Sequence, residues 1–497
     1  MIIATIELGV YRRHILKKQY RKRKSTVKNT IIQTNKKYLP GLLNIAVPIM
    51  LSNLISQLQM LIDRIFLGHV NSMYMSALGN VTSPMWTTMS FCFSIVTGAS
   101  ILISQSVGAG DTKHIEEYSG AMVKYNNIIP ILLFFFWTFC AEFVFRLMGV
   151  SDGLMPMCLD YSRYYAPVFL ITGLRGAFSV ILQTSNYTKP LVIYGIIRSG
   201  VNIFLDWIMI FGRFGLPAMG IKGAAIATTI AEYSGLIFAV IFVVSSKKLN
   251  TKPSMKWVVK AHIKPYLLSA KLGVNTALED FAWNLGNLLL IRILNAINEM
   301  AAGIYSIIFS VEVLAVVIIG AIGNGTMTLT GEAKGNNDLS KYKGVCVCAY
   351  GLCIVVGIIT LGVCLAFPQQ IISLFTNDKS IIASCGIYLI FISINLFAKS
   401  ANIVVGNAIR GSGNTIWMLI TQLFGTVWVV SVALLFVFVL KLGIAGVFLA
   451  VIVDEIVRSF INLGKYLRIV KNWESTDWDK KTEFAKQWVR HSVAYII

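Results

Sequence analysis

Apolar residues fall in twelve long segments that alternate with short polar or glycine-containing stretches. Each segment is long enough for an α-helix to cross a bilayer, which takes about 20 residues. The pattern therefore predicts an all-α membrane protein with twelve transmembrane helices. The predicted spans cover residues 41–68, 77–106, 126–149, 160–184, 191–211, 220–245, 265–296, 301–329, 344–367, 381–409, 415–440 and 443–467.

The basic residues lie in the tails and in alternate loops. Residues 1–38 hold eleven Lys or Arg and one Glu, and six lysines lie in the loop between the sixth and seventh spans. Lys and Arg are enriched in cytosolic loops, and an even number of spans returns the chain to the side where it began. We therefore expect both termini in the cytosol, with the basic tail on anionic membrane lipid and not on nucleic acid.

The second half of the chain repeats the first. Gly220-Ile221-Lys222-Gly223 opens the sixth span and Gly443-Ile444-Ala445-Gly446 opens the twelfth, and Glu232 and Glu455 each follow twelve residues after the first glycine. Six spans duplicated in this way form parallel repeats about an axis along the membrane normal. The predicted division is a cytosolic N-terminal tail (1–38), an N lobe (39–245), a cytosolic linker (246–264), a C lobe (265–470) and a cytosolic C-terminal tail (471–497).

The fifth span carries three polar residues on one helical face. Arg198, Asn202 and Asp206 are spaced four apart, so their side chains lie nearly above one another. An ionisable group at membrane depth is unfavourable by a few kcal/mol or more unless it meets water, a partner or a cation. The stripe therefore predicts a functional site, and the alternative is a buried Arg/Asp pair that fixes helix packing.

The repeat shows which buried acids occur in one half alone. It places a leucine or its neighbours opposite Asp63 of the first span, and Gly425 and Val429 opposite Asn202 and Asp206. An acid without a counterpart is not explained by a structural role common to both lobes. Glu232 and Glu455 are paired by the repeat, which favours a structural role for them.

Composition narrows the class of protein further. With 56% hydrophobic and 13% charged residues and a mean hydropathy of +0.69, the chain is too apolar for several soluble domains. The eight cysteines fall mostly inside apolar runs, which indicates packing residues. The five histidines lie in tails, loops or span ends and no HExxH or GxSxG motif occurs. We therefore expect no enzyme activity and no organic cofactor.

Several motifs together resemble the multidrug and toxic compound extrusion (MATE) family, over Leu39 to about Lys471. They are AVPIMLSNLISQLQMLIDRIFLG in the first span, SGVNIFLD in the fifth, GAAIAT in the sixth and IRGSGN after the tenth. The resemblance implies two six-helix lobes that face each other in a V in the cell membrane. It also implies a secondary antiporter that exports small organic, often cationic, compounds in exchange for Na⁺ or H⁺. We expect a monomer.

The resemblance also assigns residues. Asp63 and Asp206 match carboxylates that hold the coupling cation in the N lobe, and Asn202 and Thr228 lie beside them. Pro48 matches a proline at which the first helix bends. Oxygen ligands suit a hard cation such as Na⁺, and the same carboxyl groups can bind a proton, so the sequence leaves the ion open.

Other residues are secondary candidates or departures from the family pattern. Gln59 stands where the related branch has a tyrosine, Arg64 where a small residue is usual, and Gln183-Thr184-Ser185-Asn186 replaces the first-half RGxG turn. Arg198 could act as an internal cation for Asp206. Glu279 and Asp280 in the seventh span could form a second cation site, and the alternative for them is a helix entrance exposed to water.

Two other functions remain open from the residues. A lipid-linked oligosaccharide flippase of the same superfamily usually has more spans and a basic central cavity, whereas the N-lobe candidates here are carboxylates. A membrane-embedded enzyme would need a nucleophile and base, or a metal-binding set, at membrane depth. A receptor does not predict a duplicated half.

Overall fold

The computed structural model describes residues 2–297, 299–375 and 378–494, with side chains described from Gln33 to Thr476 except at residues 72, 299, 380, 383 and 384. The basic residues of the predicted N-terminal tail before Gln33, and the predicted C-terminal tail after Thr476, lie outside the side chains described. All regular elements within these ranges are helices.

The first half of the chain forms nine α-helices. Their bounds are α1 (Ile2–Val70), α2 (Ser72–Ala109), α3 (Thr112–Tyr125), α4 (Ile128–Phe139), α5 (Ala141–Leu147), α6 (Met155–Tyr165), α7 (Phe169–Thr184), α8 (Lys189–Phe211) and α9 (Gly220–Ser245). A single 3₁₀ turn, Ala166–Val168, joins α6 to α7.

The second half follows the same order after a short linker helix. Its bounds are α10 (Met255–Lys260), α11 (Ile263–Asn295), α12 (Glu299–Gly335), α13 (Leu339–Ala366), α14 (Pro368–Ser373), α15 (Lys379–Ser384), α16 (Gly386–Gly411), α17 (Thr415–Leu434) and α18 (Gly443–Ala494). A π turn, Leu435–Val439, ends α17.

Ten helical stretches within the described ranges are long and apolar enough to cross a membrane. Some of them combine two helices, such as α3 with α4 and α6 with α7. α11 and α18, which carry the buried acids Glu279 and Glu455, complete the twelve. The predicted class, a twelve-helix membrane protein of two lobes, is confirmed.

The third predicted span, 126–149, differs from the structure. The helical stretch begins earlier, at Thr112, and breaks at residues 126–127 and again at Cys140. At the first break the Asn127 side chain bonds to the backbone of α7, donating to Leu170 O and accepting from Gly173 N. Asn127 thus fixes the break against α7.

The two halves contact each other through a pseudo-twofold crossing of α2 and α12. A Cβ built on Gly108 would overlap the carbonyl oxygen of Glu332, and a Cβ built on Gly335 would overlap that of Gln105. Both contacts relate residues by the same shift along the chain, so they are equivalent under the repeat. Only glycine lets the two backbones approach this closely.

Three hydrogen bonds between the lobes lie at the same end of the bundle. Asn186 Nδ2 donates to Glu332 Oε1 at 2.8 Å, Gln183 Nε2 donates to Thr328 Oγ1 at 2.7 Å, and Gln105 Nε2 donates to Gly411 O at 2.8 Å. We call the contact formed by these residues and the α2–α12 crossing the seam.

The apolar cores show that the lobes are joined at the seam end and separate at the other. One cluster contains residues of both lobes, including Leu42 and Ile103 of the first and Ile319 and Val404 of the second. Two further clusters each belong to a single lobe, one around Trp137 and the other around Leu294. The lobes therefore form a V that is closed at the seam.

Candidate functional site

Three N-lobe helices bring the predicted cation ligands together. α1 contributes Asp63, α8 contributes Asn202 and Asp206, and α9 contributes Thr228. Asn202 and Asp206 are fully buried, which confirms that the polar stripe of α8 faces inward. Asp63 lies near the end of α1 that is far from the seam. It precedes the last residue of the helix, Val70, by seven positions, or about 10 Å along the helix axis.

The four side chains form one group. The carboxyl groups of Asp63 and Asp206 lie within interaction distance of each other. Asn202 Nδ2 donates to Thr228 Oγ1 at 3.3 Å, and Thr228 Oγ1 donates to Ala224 O at 2.9 Å. The structure therefore places all four residues that the sequence assigned to the cation site in a single cluster.

Gln59 belongs to the same cluster. It is buried, its Nε2 donates to Asp63 Oδ2 at 3.4 Å, and its Oε1 accepts from Ser199 Oγ at 3.2 Å. The amide thus holds the Asp63 carboxylate by one oxygen while its own orientation is fixed by α8. Arg64, which follows Asp63 in the chain, is exposed.

Several buried oxygens of this cluster accept no hydrogen bond from the described part of the protein. They are Asp63 Oδ1, Asn202 Oδ1 and both carboxylate oxygens of Asp206. A buried polar atom without a partner is unfavourable by about 1–3 kcal/mol, and more when it is charged. Oxygens alone, two of them on each of two carboxylates, form a donor set suited to a hard monovalent cation or to a proton.

The basic residues near the cluster are held elsewhere. Arg175 Nη1 and Arg198 Nη1 each lie 2.8 Å from an oxygen of Glu232, and Tyr194 Oη donates to the same carboxylate at 3.1 Å. Arg198 Nη2 also donates to Ser56 Oγ at 2.7 Å. In this structure Arg198 is therefore the counter-ion of Glu232, and not of Asp206 as the helical spacing suggested.

Arg175 is a residue that the sequence reasoning missed. It lies in α7, and its guanidinium is also stacked 4.5 Å from the centre of the Phe93 ring. An ionisable residue inside the fourth apolar span was a visible signal. The structural role expected for Glu232 agrees with its two ion pairs.

Two tyrosines were also missed. Tyr161 is buried near the cluster, and it stacks on Tyr165 with the ring centroids 5.7 Å apart. Their helix, α6, was predicted to span the membrane, but nothing in its sequence distinguishes Tyr161 from an ordinary packing residue. Its proximity to the acids depends on the tertiary structure.

Pro48 lies inside α1 and is buried. A proline has no N–H to donate, so the carbonyl oxygen four residues earlier, on Asn44, lacks its usual helical partner. The hydroxyl of Thr188 supplies a replacement, donating to Asn44 O at 2.6 Å. The Asn44 side chain in turn donates to Asn186 O at 2.6 Å. The start of α8 thus holds α1 at the turn where it is weakest.

Glu279 and Asp280 do not form a water-exposed helix entrance, because α11 begins at Ile263 and both acids lie well inside it. Glu279 is buried and accepts from Arg410 Nη2 at 2.5 Å within the C lobe. Asp280 Oδ2 accepts from Ser94 Oγ of the N lobe at 2.5 Å. The entrance interpretation was therefore wrong, and the two acids have separate partners.

The C lobe has no oxygen cluster at the equivalent positions. The repeat relates Asn202 and Asp206 to Gly425 and Val429, and Thr228 to Val451. The C lobe does contain other buried acids, Glu312, Asp454 and Glu455, which lie at different positions and are bound to Lys399 or Arg458. Both lobes therefore contain buried acids. The lobes differ in that Glu312, Asp454 and Glu455 have cationic partners, whereas Asp63 and Asp206 have none among the described residues.

Comparison with known proteins agrees with this architecture. The family model described as MatE matches residues 48–208 and 276–437, one stretch in each lobe. The chain is therefore a membrane transporter with many spans. It belongs to the MATE family.

Related proteins match along most of their length. A protein named "Probable multidrug resistance protein NorM" from Thermotoga maritima is 26% identical over 461 residues, which cover 90% of this chain and 95% of that protein. An "Uncharacterized transporter YisQ" from Bacillus subtilis is 25% identical over 422 residues, which cover 84% of this chain and 90% of that protein.

Solved structures share the fold. The structure titled "Outward-facing conformation of a multidrug resistance MATE family transporter of the MOP superfamily" has a TM-score of 0.80 and 18% identity, over 87% of this chain and 96% of that one. The D35N mutant of the Vibrio cholerae MATE transporter VcmN has a TM-score of 0.81 and 17% identity, over 88% of this chain and 98% of that one.

Proposed function

We propose that this chain is a secondary active antiporter that exports small organic, cationic or amphiphilic compounds in exchange for Na⁺ or H⁺. The coupling ion binds in the N lobe between Asp63 and Asp206, with Asn202 and Thr228 beside it. The observation that carries this proposal is the set of buried oxygens in this cluster that accept no hydrogen bond from the described residues. A cation or a proton supplies the missing partner.

The orientation follows from charge. Basic residues are enriched before the first span and in the linker, so the seam end faces the cytosol and the V opens to the outside of the cell membrane. Both termini are then cytosolic. In this state the coupling ion reaches Asp63 and Asp206 from outside, because both acids lie on the open side of the seam.

Coupling requires that the ion and the exported compound prefer opposite states. A ligand shifts the balance between two conformations only by its difference in affinity for them. A cation or a proton bound at the Asp63–Asp206 pair removes the repulsion between the two carboxylates, so the packing of α1 against α8 changes. The resulting change in packing is absorbed at Pro48, where α1 lacks a backbone hydrogen bond. The names of the relatives, which are multidrug resistance proteins, support organic substrates.

The test is efflux of a cationic dye from proteoliposomes under an imposed Na⁺ gradient and, separately, an imposed pH gradient. We expect one gradient to drive uphill efflux in the native protein and the Asp206→Asn variant to lose it while remaining folded. Asp152→Asn is the matched control, since Asp152 is an exposed acid of the same lobe. Efflux that depends on neither gradient contradicts the antiporter, and native efflux in Asp206→Asn contradicts the site.

A further inference from the structure

The linker between the lobes contains the short helix α10 (Met255–Lys260), in which no residue is buried. The linker joins two membrane helices, since α9 ends at Ser245 and α11 begins at Ile263. Side chains near both of these ends are apolar and face outward, with exposed fractions of 70% for Val244 and 56% for Leu267. α10 therefore lies at the level where α9 and α11 leave the apolar part of the membrane.

The outer surface of this segment combines an apolar stripe with a basic stripe. Three exposed apolar residues are each followed directly by an exposed lysine, as Met255-Lys256, Val259-Lys260 and Ile263-Lys264. Residues four apart lie on the same side of a helix, so Met255 and Val259 form one stripe of α10, and Lys256 and Lys260 form the other beside it. The exposed fractions of Met255 and Val259 are 73% and 67%. The apolar stripe is therefore left uncovered by the described part of the protein.

The three lysines of this surface are available to an external anion. They form no ion pair among the described residues, and no Asp or Glu occurs between Glu232 and Glu279 in the sequence. Glu116 of α3 does contact the linker, but its Oε2 accepts from the backbone, from Ser254 N at 2.7 Å. The segment thus carries positive charge without an acid of its own to neutralise it.

α10 is fixed in place by α3 of the N lobe. Lys124 Nζ donates to Val259 O at 2.7 Å and to Ala261 O at 3.1 Å, and Tyr125 Oη donates to Ala261 O at 2.8 Å. These bonds use backbone oxygens of the linker, so the side chains of the two stripes take no part in them. The surface is therefore held in position while its side chains stay free to bind a partner.

We propose that this surface binds anionic lipid of the cytosolic leaflet, with Met255, Val259 and Ile263 at the boundary between headgroups and acyl chains and the three lysines on the headgroup anions. Helices with an apolar and a basic side lie in this boundary, and anionic lipid attracts lysine. Because α10 is bonded to α3, the bound lipid anchors the N lobe, and the extended residues Ala261 and His262 separate this anchor from α11 of the C lobe. The choice of leaflet rests on the orientation proposed above, whereas the selectivity for anionic lipid does not.

The experiment uses the full chain with the photo-crosslinking amino acid p-benzoylphenylalanine at residue 255, in nanodiscs of equal parts phosphatidylglycerol and phosphatidylcholine. Mass spectrometry counts the adducts formed with each lipid. We expect phosphatidylglycerol adducts to exceed phosphatidylcholine adducts. Lys256→Gln/Lys260→Gln should lower this ratio by about fivefold per lysine, which corresponds to about 1 kcal/mol each. Higher ionic strength should lower the ratio as well, because salt screens exposed charges.

Two controls separate a local site from general effects. The same photo-crosslinking amino acid at Ile237, an exposed position farther into the membrane on α9, should give adducts near the mixing ratio. Arg468→Gln/Lys471→Gln removes two exposed basic residues from α18 and should leave the ratio at residue 255 unchanged. A ratio at residue 255 equal to the mixing ratio overturns the proposal. So does selectivity that survives Lys256→Gln/Lys260→Gln, or that falls equally in the control pair.

These results are separable from those for the proposed function. If dye efflux proves independent of both gradients, the antiporter proposal fails while the adduct ratio still decides the lipid site. If the adducts show no selectivity but Asp206→Asn loses driven efflux, the antiporter proposal stands and α10 is an unselective part of the linker.

Discussion

We expect Glu232 to keep built-in positive charge away from the Asp63–Asp206 cluster. It holds both Arg175 and Arg198 through ion pairs of 2.8 Å. In Glu232→Gln the side chain keeps its shape but loses the charge that attracts the two guanidinium groups. Arg198, whose Nη2 already bonds to Ser56 of α1, is then free to turn along that helix toward Asp63. We expect it to compete with the coupling ion.

The size of the effect follows from Coulomb's law. Opposite unit charges about 4 Å apart interact by about 4 kcal/mol at an effective dielectric constant of about 20. The loss of the bond to Ser56 and the ordering of the arginine offset about half of this. The remaining ~2 kcal/mol corresponds to about 30-fold weaker binding of a competing cation. The broken buried pair also lowers the free energy of unfolding by about 3–5 kcal/mol.

The assay is the concentration of driving ion that gives half-maximal dye efflux, using whichever gradient drives the native protein. We expect this concentration to rise about 30-fold in Glu232→Gln. Glu455→Gln is the matched control. Glu455 is the counterpart of Glu232 under the repeat and is bound by Asn402 and Arg458, so its loss should lower stability without changing the ion concentration. An unchanged half-maximal concentration in folded Glu232→Gln, or an equal rise in Glu455→Gln, would refute the reasoning.

Two further predictions concern the hinge and the seam. Thr188→Val removes the hydroxyl that bonds to Asn44 O, so thermal unfolding should show a loss of about 1–3 kcal/mol. In a Pro48→Ala background, where a backbone N–H can bond to that carbonyl, we expect the loss to shrink by at least about 1 kcal/mol, and strict additivity would contradict the hinge role. Gly108→Ala and Gly335→Ala place a Cβ against the opposing backbone and should open the seam, seen as faster hydrogen exchange in residues 98–108 and 325–335. Gly351→Ala, at a helical glycine with open space around it, is the control, and equal exchange in all three variants would contradict a steric role for the glycines.

The membrane spans and the duplication could be predicted from sequence because both are properties of local pattern. A helix in lipid needs an uninterrupted apolar run, since its backbone must satisfy its own hydrogen bonds. The inward-facing stripe of α8 could be predicted for the same reason, because Asn202 and Asp206 lie on one helical face. The exceptions involve tertiary contacts, such as the break at Asn127, whose amide bonds to the backbone of a neighbouring helix.

The partners of charged side chains could not be predicted in the same way. Helical spacing suggested Arg198 as a partner for Asp206, yet Arg198 binds Glu232 on a different helix. Glu279 and Asp280 are adjacent in sequence, but one binds Arg410 of its own lobe and the other binds Ser94 of the opposite lobe. Adjacent helical positions point in different directions, and the sequence does not state which helix lies in each direction.

The amino-acid sequence by itself thus determined how many times this chain crosses the membrane, that its two halves are copies, and which acids lack a counterpart. The tertiary structure alone decided which of those acids have a built-in cation and which do not. The physical reason is that the two kinds of interaction differ in how far apart in the chain their participants lie. Hydrophobic burial acts along a whole helix and is recorded in its periodicity, whereas an ion pair forms within about 4 Å between residues far apart in the chain.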